Sequence, residues 1–295
     1  MISAELLSRI RKLEIRTRRM VDDLTAGAYH SVFKGSGIEF EDVREYTQED
    51  DVRDIDWNVT AKMGTPYIKK YVEERELTVM LLVDMSASNY FGSKEKTKKE
   101  TAVEIASLLA FSAIRNNDKV GLLMFTDKVE FYLPPKSGRT HILRLIREVL
   151  VRKPESRGTN ISAALEKIMK ILHKKAVVFL ISDLIDTESN FGKALTVVNK
   201  KHDVVAVRVL DNIELNFPKS GHLNLSDSEN SQISFFSAKG KNLEVFKEKA
   251  KALHKESKDV CIKSKVDIID IVCGEDFIKP LMSFFRRRER ILNKS

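Results

Sequence analysis

Six short apolar runs, rich in Val, Ile, Leu and Phe, recur along the chain from residue 77 onward. They occupy residues 77–84, 119–125, 129–134, 176–183, 203–210 and 265–273. Helical spacing of apolar residues fills most of the intervals, at about 96–116, 140–151, 160–173, 188–201, 241–257 and 275–290. Near-continuous apolar strands that alternate with helices are typical of a mostly parallel sheet covered on both faces. The pattern therefore predicts an α/β domain with a Rossmann-like sheet over residues 77–290.

One pair of strands breaks the alternation. Only three residues separate the run at 119–125 from the run at 129–134, and a parallel crossover needs a dozen residues or more. The two runs are therefore predicted to form an antiparallel hairpin, with 129–134 at an edge of the sheet.

The first 76 residues follow a different pattern. A helical pattern covers 3–25 and ends near Gly27. Residues 30–76 contain short apolar pieces between turn residues, which predicts an irregular lobe or a small β-extension. The predicted organisation is an N-terminal helix at 1–29, an acidic lobe at 30–76 and the sheet domain at 77–290.

The lobe carries a concentrated negative charge. Residues 34–57 hold nine Asp and Glu against three basic residues, a local net charge of −6. Since an Arg guanidinium can grip a carboxylate through two N–H groups, we interpret the lobe as an ion-pair network. Trp57 is expected to be buried and to anchor the lobe on the core. Alternatively, the lobe is a surface read by a partner. The residues concerned are Arg44, Asp50, Asp51, Arg53, Asp56, Trp57 and Arg75.

Composition limits the classes of function. The 295 residues are 42% hydrophobic, which suffices for a sizeable core. Apolar runs of membrane-spanning length and an apolar signal-peptide core are both missing from the sequence, so we expect a cytoplasmic protein without a membrane span. Two cysteines, Cys261 and Cys273, provide neither a disulfide framework nor a zinc site.

Positive charge concentrates elsewhere. Residues 128–175, here called the basic stretch, hold twelve Lys and Arg against four Glu, a local net charge of +8. A nucleic-acid-binding protein is one interpretation, but the few aromatic residues among these charges argue against single-strand binding. A nucleotide-binding Rossmann protein is disfavoured because no G-x-G-x-x-G motif follows a strand.

Oxygen-bearing side chains follow two of the predicted strands. Asp84, Ser86 and Ser88 come at the end of the first strand, and Asp183 ends the strand at 176–183. Thr159, in the turn "RGTN", stands just before a predicted helix. Ligands of open parallel sheets bind beyond the carboxyl ends of neighbouring strands, where the strand order reverses. We therefore expect these five residues, here called the oxygen set, to converge. The alternative interpretation is that the two carboxylates cap helices and the two serines fill a turn.

The oxygen set predicts one Mg²⁺ or Mn²⁺ ion, because hard cations prefer oxygen ligands. Three of its members are neutral hydroxyls, so the ion keeps uncompensated charge and can attract an Asp or Glu of a partner. Hydrolysis would need a base poised on a metal-bound water. The motifs contain no such His or Glu, and His141 and His173 lie on helical patterns. We therefore predict a binding protein and not an enzyme, with a metal-dependent hydrolase as the alternative.

The D-x-S-x-S motif, followed by Thr159 and Asp183, resembles the metal-ion-dependent adhesion site of von Willebrand factor A domains. Residues 37–88 also resemble the bacterial domain-of-unknown-function family 58. Two positions depart from these patterns: Asn89 stands where Met is frequent, and Gln48-Glu49 replaces a Pro-Gly pair. The residues that carry the second resemblance are Glu39, Phe40, Arg44, Tyr46, Asp50, Asp51, Arg53, Ile55, Asp56, Trp57, Ala61, Glu74 and Arg75.

The resemblance implies a von Willebrand A-type fold and a MoxR-type AAA+ ATPase as partner, and it implies no reaction. The expected function is a Mg²⁺-dependent protein-binding adaptor that works with this ATPase in chaperone-like assembly or regulation. Arg152, Lys153 and Arg157 precede Thr159 in sequence and are expected to steer an acidic partner toward the ion.

Overall fold

A computed structural model describes most of the chain. The described residues are 8, 10–17, 20, 38–47, 50–73, 76–93, 96–186, 189–215, 222–226, 233–237 and 240–292. Two compact units are present: residues 33–76 form the small unit, and residues 1–32 together with 77–295 form the large unit.

The small unit contains an antiparallel hairpin with a helix in its connection. Strands β1 (Ile38–Glu45) and β2 (Tyr67–Glu73) pair antiparallel, and helix α1 (Trp57–Met63) lies between them in sequence. The Asp56 carboxylate caps α1 by accepting the N–H groups of Asn58 and Val59, at 3.0 and 3.3 Å. The segment predicted as an irregular lobe or small β-extension thus has regular structure around a short helix.

Arginine–aspartate pairs hold the loop between β1 and α1. Arg44 contacts both carboxylate oxygens of Asp50, at 2.9 and 2.5 Å. Arg53 pairs with Asp51 at 3.0 Å. These are the bidentate contacts that the ion-pair interpretation predicts. Arg75 lies outside the described residues.

The predicted burial of Trp57 is wrong. Its side chain is 66% exposed, and none of the seven residues of α1, all of which the structure describes, is buried. Ile68 of β2, 6% exposed, is the buried apolar residue among residues 43–47 and 50–69. Trp57 follows the capping residue Asp56 directly, and a first-turn position on a helix without a buried face leaves its side chain in solvent.

The large unit is built on a mostly parallel sheet. Among the described residues it has six strands in the order β10-β7-β6-β3-β4-β5. Their bounds are Thr78–Asp84 for β3, Lys119–Phe125 for β4, Val129–Lys136 for β5, Val177–Ser182 for β6, Asp203–Leu210 for β7 and Asp267–Val272 for β10. Only β5 runs antiparallel, paired with β4 at the edge, so the predicted hairpin is confirmed. Strands β8 (His222–Ser226) and β9 (Ile233–Ser237) form a separate hairpin that the sequence analysis did not predict.

Helices follow most of the strands and confirm the predicted α/β class. Their bounds are Lys98–Arg115 for α2, Arg139–Val151 for α3, Ile161–Ile171 for α4, Phe191–Lys201 for α5, Asn212–Leu215 for α6, Gly240–Lys263 for α7 and Ile278–Leu292 for α8. Residues 10–17 are helical, and the rest of the helix predicted at 3–25 lies largely outside the described residues. A capping box formed by Thr97 and Glu100 begins α2, which is buried along most of its length.

The core lies on both sides of the central strands. Residues 79–83 of β3 are all 1% exposed or less, and residues 204–207 of β7 are fully buried. Such strands are rigid, so the side chains at their carboxyl ends are held in fixed positions. No helix among the described residues combines the length and apolarity needed to cross a membrane.

Candidate functional site

The two carboxylates of the oxygen set lie at the carboxyl ends of neighbouring strands. β3 and β6 pair in parallel, with Val83 opposite Ile181. This register puts Asp84, the last residue of β3, beside Ser182, the last residue of β6. Asp183 follows one residue beyond the strand. Asp84 is 1% exposed and Asp183 is fully buried, so two acidic groups share one water-poor site.

Asp84 is held by donors on both of its oxygens. Its Oδ1 accepts the backbone N–H of Ser86 at 2.8 Å, and its Oδ2 accepts the hydroxyl of Ser182 at 2.6 Å. Burial, and then the neighbouring charge of Asp183, raise the pKa of Asp84 to about 6, while the hydrogen bonds act in the opposite direction. A nearby cation would offset both effects, because it stabilises the ionised carboxylate.

Ser86 and Ser88 present two hydroxyls to the same place. Their Oγ atoms are 3.1 Å apart, at the start of a 3₁₀ turn over Ala87–Tyr90. Two adjacent ligands of an octahedral Mg²⁺ ion, each about 2.1 Å from the metal, stand roughly 3.0 Å apart. The side chain of Asn89 donates to Ser86 Oγ at 3.2 Å and fixes its orientation. The observed spacing therefore fits a shared metal ion.

Thr159 lies in a loop that is bound to the serine motif. The N–H of Ala87 donates to the carbonyl of Arg157 at 2.9 Å, and the N–H of Asn160 donates to the carbonyl of Thr126 at 2.9 Å. Thr159 is 5% exposed, and its Oγ1 has no hydrogen-bond partner among the described residues. A buried hydroxyl without a partner costs about 1–3 kcal/mol, so it indicates a ligand that completes it.

Asp183 is paired with a buried lysine. Its Oδ1 accepts the N–H of Ile185 at 3.1 Å, and its Oδ2 accepts from Lys98 Nζ at 3.1 Å. Lys98 Nζ also donates to Glu214 Oε1, and the lysine side chain is 1% exposed. Burial acts to lower the pKa of Lys98, but the charges of Asp183 and Glu214 outweigh it and raise that pKa. Lys98 is therefore a buried ammonium.

Glu214 belongs to a network that ties two loops together. Its Oε2 accepts the N–H of Asp211, at the end of β7, at 3.0 Å. Asp211 in turn accepts the backbone N–H of Ser93 at 2.9 Å, the Ser93 hydroxyl, and the N–H of Ile213 at 2.9 Å. The loops that follow β3 and β7 are thereby joined, and Lys98 connects them to the loop after β6.

The oxygen set suits a hard divalent cation. Within the described part of the chain no group of three or more His, Cys, Asp or Glu could hold a metal ion. A site made of hydroxyls and two carboxylates is of a different type, because neutral oxygens supply most of its ligands. The oxygen-only ligands favour Mg²⁺ or Mn²⁺ over a softer metal, and the 3.1 Å spacing of the two serine hydroxyls, which also hydrogen-bond each other, is compatible with such an ion.

The predicted partner-binding residues differ in their surroundings. Arg152 donates to Glu148 at 3.1 Å, and its guanidinium carbon lies 4.1 Å from the centre of the Phe131 ring. Lys153 and Arg157 are exposed. The Arg157 carbonyl accepts the N–H of Ala87, so the backbone of the basic stretch at Arg157 lies beside the serine motif.

Three residues of the site were not found from the sequence. Ser182 directly precedes Asp183 on an apolar strand, and a partner for Asp84 follows only from the strand register. Lys98 is the first residue of α2 and lies between Thr97 and Glu100 of the capping box. A charged residue at that position is expected to face solvent. Glu214 comes from a helix of four residues that leaves no periodic pattern. The capping signal, which orients the start of α2, was the one sequence feature that could have indicated Lys98.

A histidine lies within electrostatic range of this network. Burial lowers the pKa of His254 in α7, and the charge of Glu214 opposes that shift. Its Nδ1 has no hydrogen-bond partner within the described residues, so His254 has no observed contact with the oxygen set through that atom. His254 was not a candidate from the sequence, because α7 is remote along the chain from the motifs, whereas His141 and His173 are nearer to them.

The comparisons with known proteins identify one family model and several solved structures of similar fold. A family model described as "Protein of unknown function DUF58" matches residues 42–257. The uncharacterized protein Rv1480 of Mycobacterium tuberculosis is 28% identical over 235 residues, covering 79% of this chain and 74% of the relative. The uncharacterized protein MAV169 of Mycobacterium avium is 24% identical over 161 residues, covering 54% of this chain and 94% of the relative.

Two solved structures illustrate the structural similarity. A conserved hypothetical protein, BatB from Bacteroides thetaiotaomicron, has a TM-score of 0.48 at 15% identity and covers 74% of this chain and 100% of its own. The VWA domain of SpRpn10 has a TM-score of 0.37 at 11% identity and covers 71% of this chain and 95% of its own.

Proposed function

Because the chain belongs to the DUF58 family, for which no function is assigned, we propose from the site itself that it is a protein-binding module of the von Willebrand A type. Its ligand is a partner carboxylate, bound through one Mg²⁺ or Mn²⁺ ion held by the oxygen set. The observation that carries this proposal is the buried Thr159 Oγ1 without a partner, in a loop bound to the Ser86–Ser88 turn.

The proposed division of labour follows from the hydrogen bonds. Ser86, Ser88 and Thr159 supply hydroxyl ligands. We propose that Asp84 and Asp183, whose oxygens each accept one hydrogen bond, act on the ion through water molecules. The ion supplies positive charge and an open position, and neutral ligands leave that charge available to an acidic partner.

We assign the partner to the MoxR-type AAA+ ATPases, on the resemblance of residues 37–88. Lys153 and Arg157 are exposed, and the Arg157 carbonyl contacts the serine motif, so we propose that their charges attract acidic side chains toward the oxygen set. The Arg152 guanidinium already contacts Glu148 and Phe131, so we expect Arg152 to stabilise this loop and to attract a partner less strongly.

The small unit is a second candidate surface for the same partner. It exposes three large apolar side chains: Val52 at 57%, Trp57 at 66% and Met63 at 62%. Exposed apolar groups among charged residues are a feature of protein interaction sites. Binding at the two surfaces can be distinguished by removing the metal, because in this proposal only binding at the oxygen set needs a divalent ion.

The test is retention of the ATPase on immobilised protein with Mg²⁺ or with EDTA. We expect retention in Mg²⁺, loss in EDTA, and loss in Ser86→Ala under both conditions. Ser107→Ala is the matched control, since it removes a buried serine hydroxyl of α2 that donates to the Val103 carbonyl at 2.7 Å. If the amount of ATPase retained is the same in EDTA and with Ser86→Ala, metal-dependent binding is refuted and the small unit remains as the candidate binding surface.

A further inference from the structure

Lys98 places a fixed positive charge inside the proposed metal site. Its side chain is 1% exposed, and its Nζ contacts carboxylates from two strand ends: Asp183 after β6 and Glu214 after β7. A buried ammonium is tolerated only when it is paired and hydrogen-bonded. These two carboxylates meet that requirement without any metal.

The ammonium changes the charge that a metal ion would meet. Asp84 and Asp183 together offer two negative charges, which would balance one divalent ion. Lys98 already claims Oδ2 of Asp183, while Oδ1 accepts the N–H of Ile185. Part of the attraction between Asp183 and a second cation is therefore cancelled, and the ammonium and the metal ion repel one another.

We propose that Lys98 sets the metal affinity of the site and makes it depend on the partner. By neutralising Asp183, it keeps the affinity for a divalent ion alone low. A partner carboxylate restores the missing negative charge, so metal and partner bind together more tightly than either binds alone. This inference rests on the proposed metal-binding function and specifies how that function is regulated.

A purely structural role for Lys98 makes a different prediction from an electrostatic one. Lys98→Met removes a positive charge from the site, and Glu214→Gln removes a negative charge while keeping a side chain able to hydrogen-bond. If Lys98 only holds the loops together, both changes loosen the site and lower metal affinity. If it sets the charge, Lys98→Met raises metal affinity and Glu214→Gln lowers it.

The experiment is titration of the full chain with Mn²⁺ alone, following free Mn²⁺ by its electron paramagnetic resonance signal. We expect Lys98→Met to bind Mn²⁺ about tenfold more tightly than the wild type, and Glu214→Gln to bind severalfold more weakly. Lys98→Arg, which keeps the charge, should remain close to the wild type. Thermal unfolding gives a second readout: Mn²⁺ should raise the midpoint more in Lys98→Met than in the wild type.

The outcomes separate the inference from the proposed function. Absence of Mn²⁺ binding by the wild type and by Lys98→Met alike overturns both. A wild type that binds Mn²⁺, with Lys98→Met at equal or lower affinity, overturns the inference alone. If Lys98→Met does not fold without metal, Lys98→Gln takes its place, because it also removes the charge and keeps a side chain able to hydrogen-bond. Mn²⁺ binding by Lys98→Gln equal to or weaker than that of the wild type then overturns the inference.

Discussion

At the level of single residues, Thr159 differs from the other hydroxyl residues of the site. Ser86 and Ser88 contact each other, and Ser182 donates to Asp84. Thr159 Oγ1 is buried without a partner among the described residues, although its backbone loop is fixed on both sides. A rigid loop that keeps an unsatisfied group buried lowers the stability of the free protein, and a ligand at that group recovers the loss.

Thr159→Val tests this account directly, since valine has the same shape and no hydroxyl. In EDTA we expect the variant to be more stable than the wild type by about 1 kcal/mol, because the unsatisfied hydroxyl is gone. In Mg²⁺ we expect the wild type to gain stability and the variant to gain none. The measurement is the free energy of unfolding by urea under both conditions.

Thr101→Val is the matched control for that experiment. Thr101 is also buried, at 3% exposure, but its Oγ1 donates to the Thr97 carbonyl at 3.1 Å. Its loss should cost about 1 kcal/mol in EDTA and in Mg²⁺ alike. Equal destabilisation of both variants in EDTA would mean that Thr159 has a partner in the free protein, and the strongest sign of a ligand would be lost.

At the scale of elements, the strands were predictable and their tertiary partners were not. The runs at 119–125 and 203–210 match β4 and β7 in both bounds, because strands buried on both faces need uninterrupted apolar sequence. β8 and β9 were missed since their short runs mix polar and apolar residues, as in "HLNLS". The pairing of Lys98 with Asp183 depends on how α2 packs across the ends of β6 and β7, which no local pattern encodes.

The prediction that Trp57 is buried was wrong for the same reason, because burial depends on tertiary contacts that a local pattern does not encode. A lone Trp in a charged segment was taken as a buried anchor, but the Asp56 cap places Trp57 at the first position of a helix that buries no residue. The oxygen set itself came from the sequence because each member follows, or lies next to, a strand or helix boundary. What the sequence did not give was the hydrogen-bond donor on each carboxylate oxygen, since two of these donors, Ser182 and Lys98, come from other elements of the fold.

Trp57→Ala tests whether the Trp57 side chain is exposed in solution. An exposed side chain on an exposed helix face should contribute little, so we expect the free energy of unfolding to change by about 0.5 kcal/mol or less. The single tryptophan of the wild type should also emit at a solvated wavelength while folded, with little shift in urea. A blue-shifted emission or a loss of several kcal/mol would show that Trp57 is covered in solution.

For the complete protein, the docking to the ATPase that we propose assigns charge and metal to different steps. The basic stretch contacts the serine motif through the Arg157 carbonyl, and the long-range attraction of its charges would mainly speed encounter. A metal–carboxylate contact forms only after encounter, so it mainly slows dissociation. The two contributions can therefore be separated by kinetics against the ATPase, even though they lie at one edge of the sheet.

Lys153→Gln should lower the association rate and weaken its dependence on salt, while leaving the dissociation rate near that of the wild type. Ser86→Ala should raise the dissociation rate in Mg²⁺ and change association little. Arg152→Gln is the comparison for the first variant, because Glu148 already offsets the Arg152 charge; its effect on association should be smaller than that of Lys153→Gln. These rates can be measured on immobilised protein across a salt series. A Ser86→Ala complex that is as long-lived as the wild-type complex would contradict a metal contact in the interface. An unchanged association rate in Lys153→Gln would contradict steering by Lys153 and would not affect the proposed metal contact.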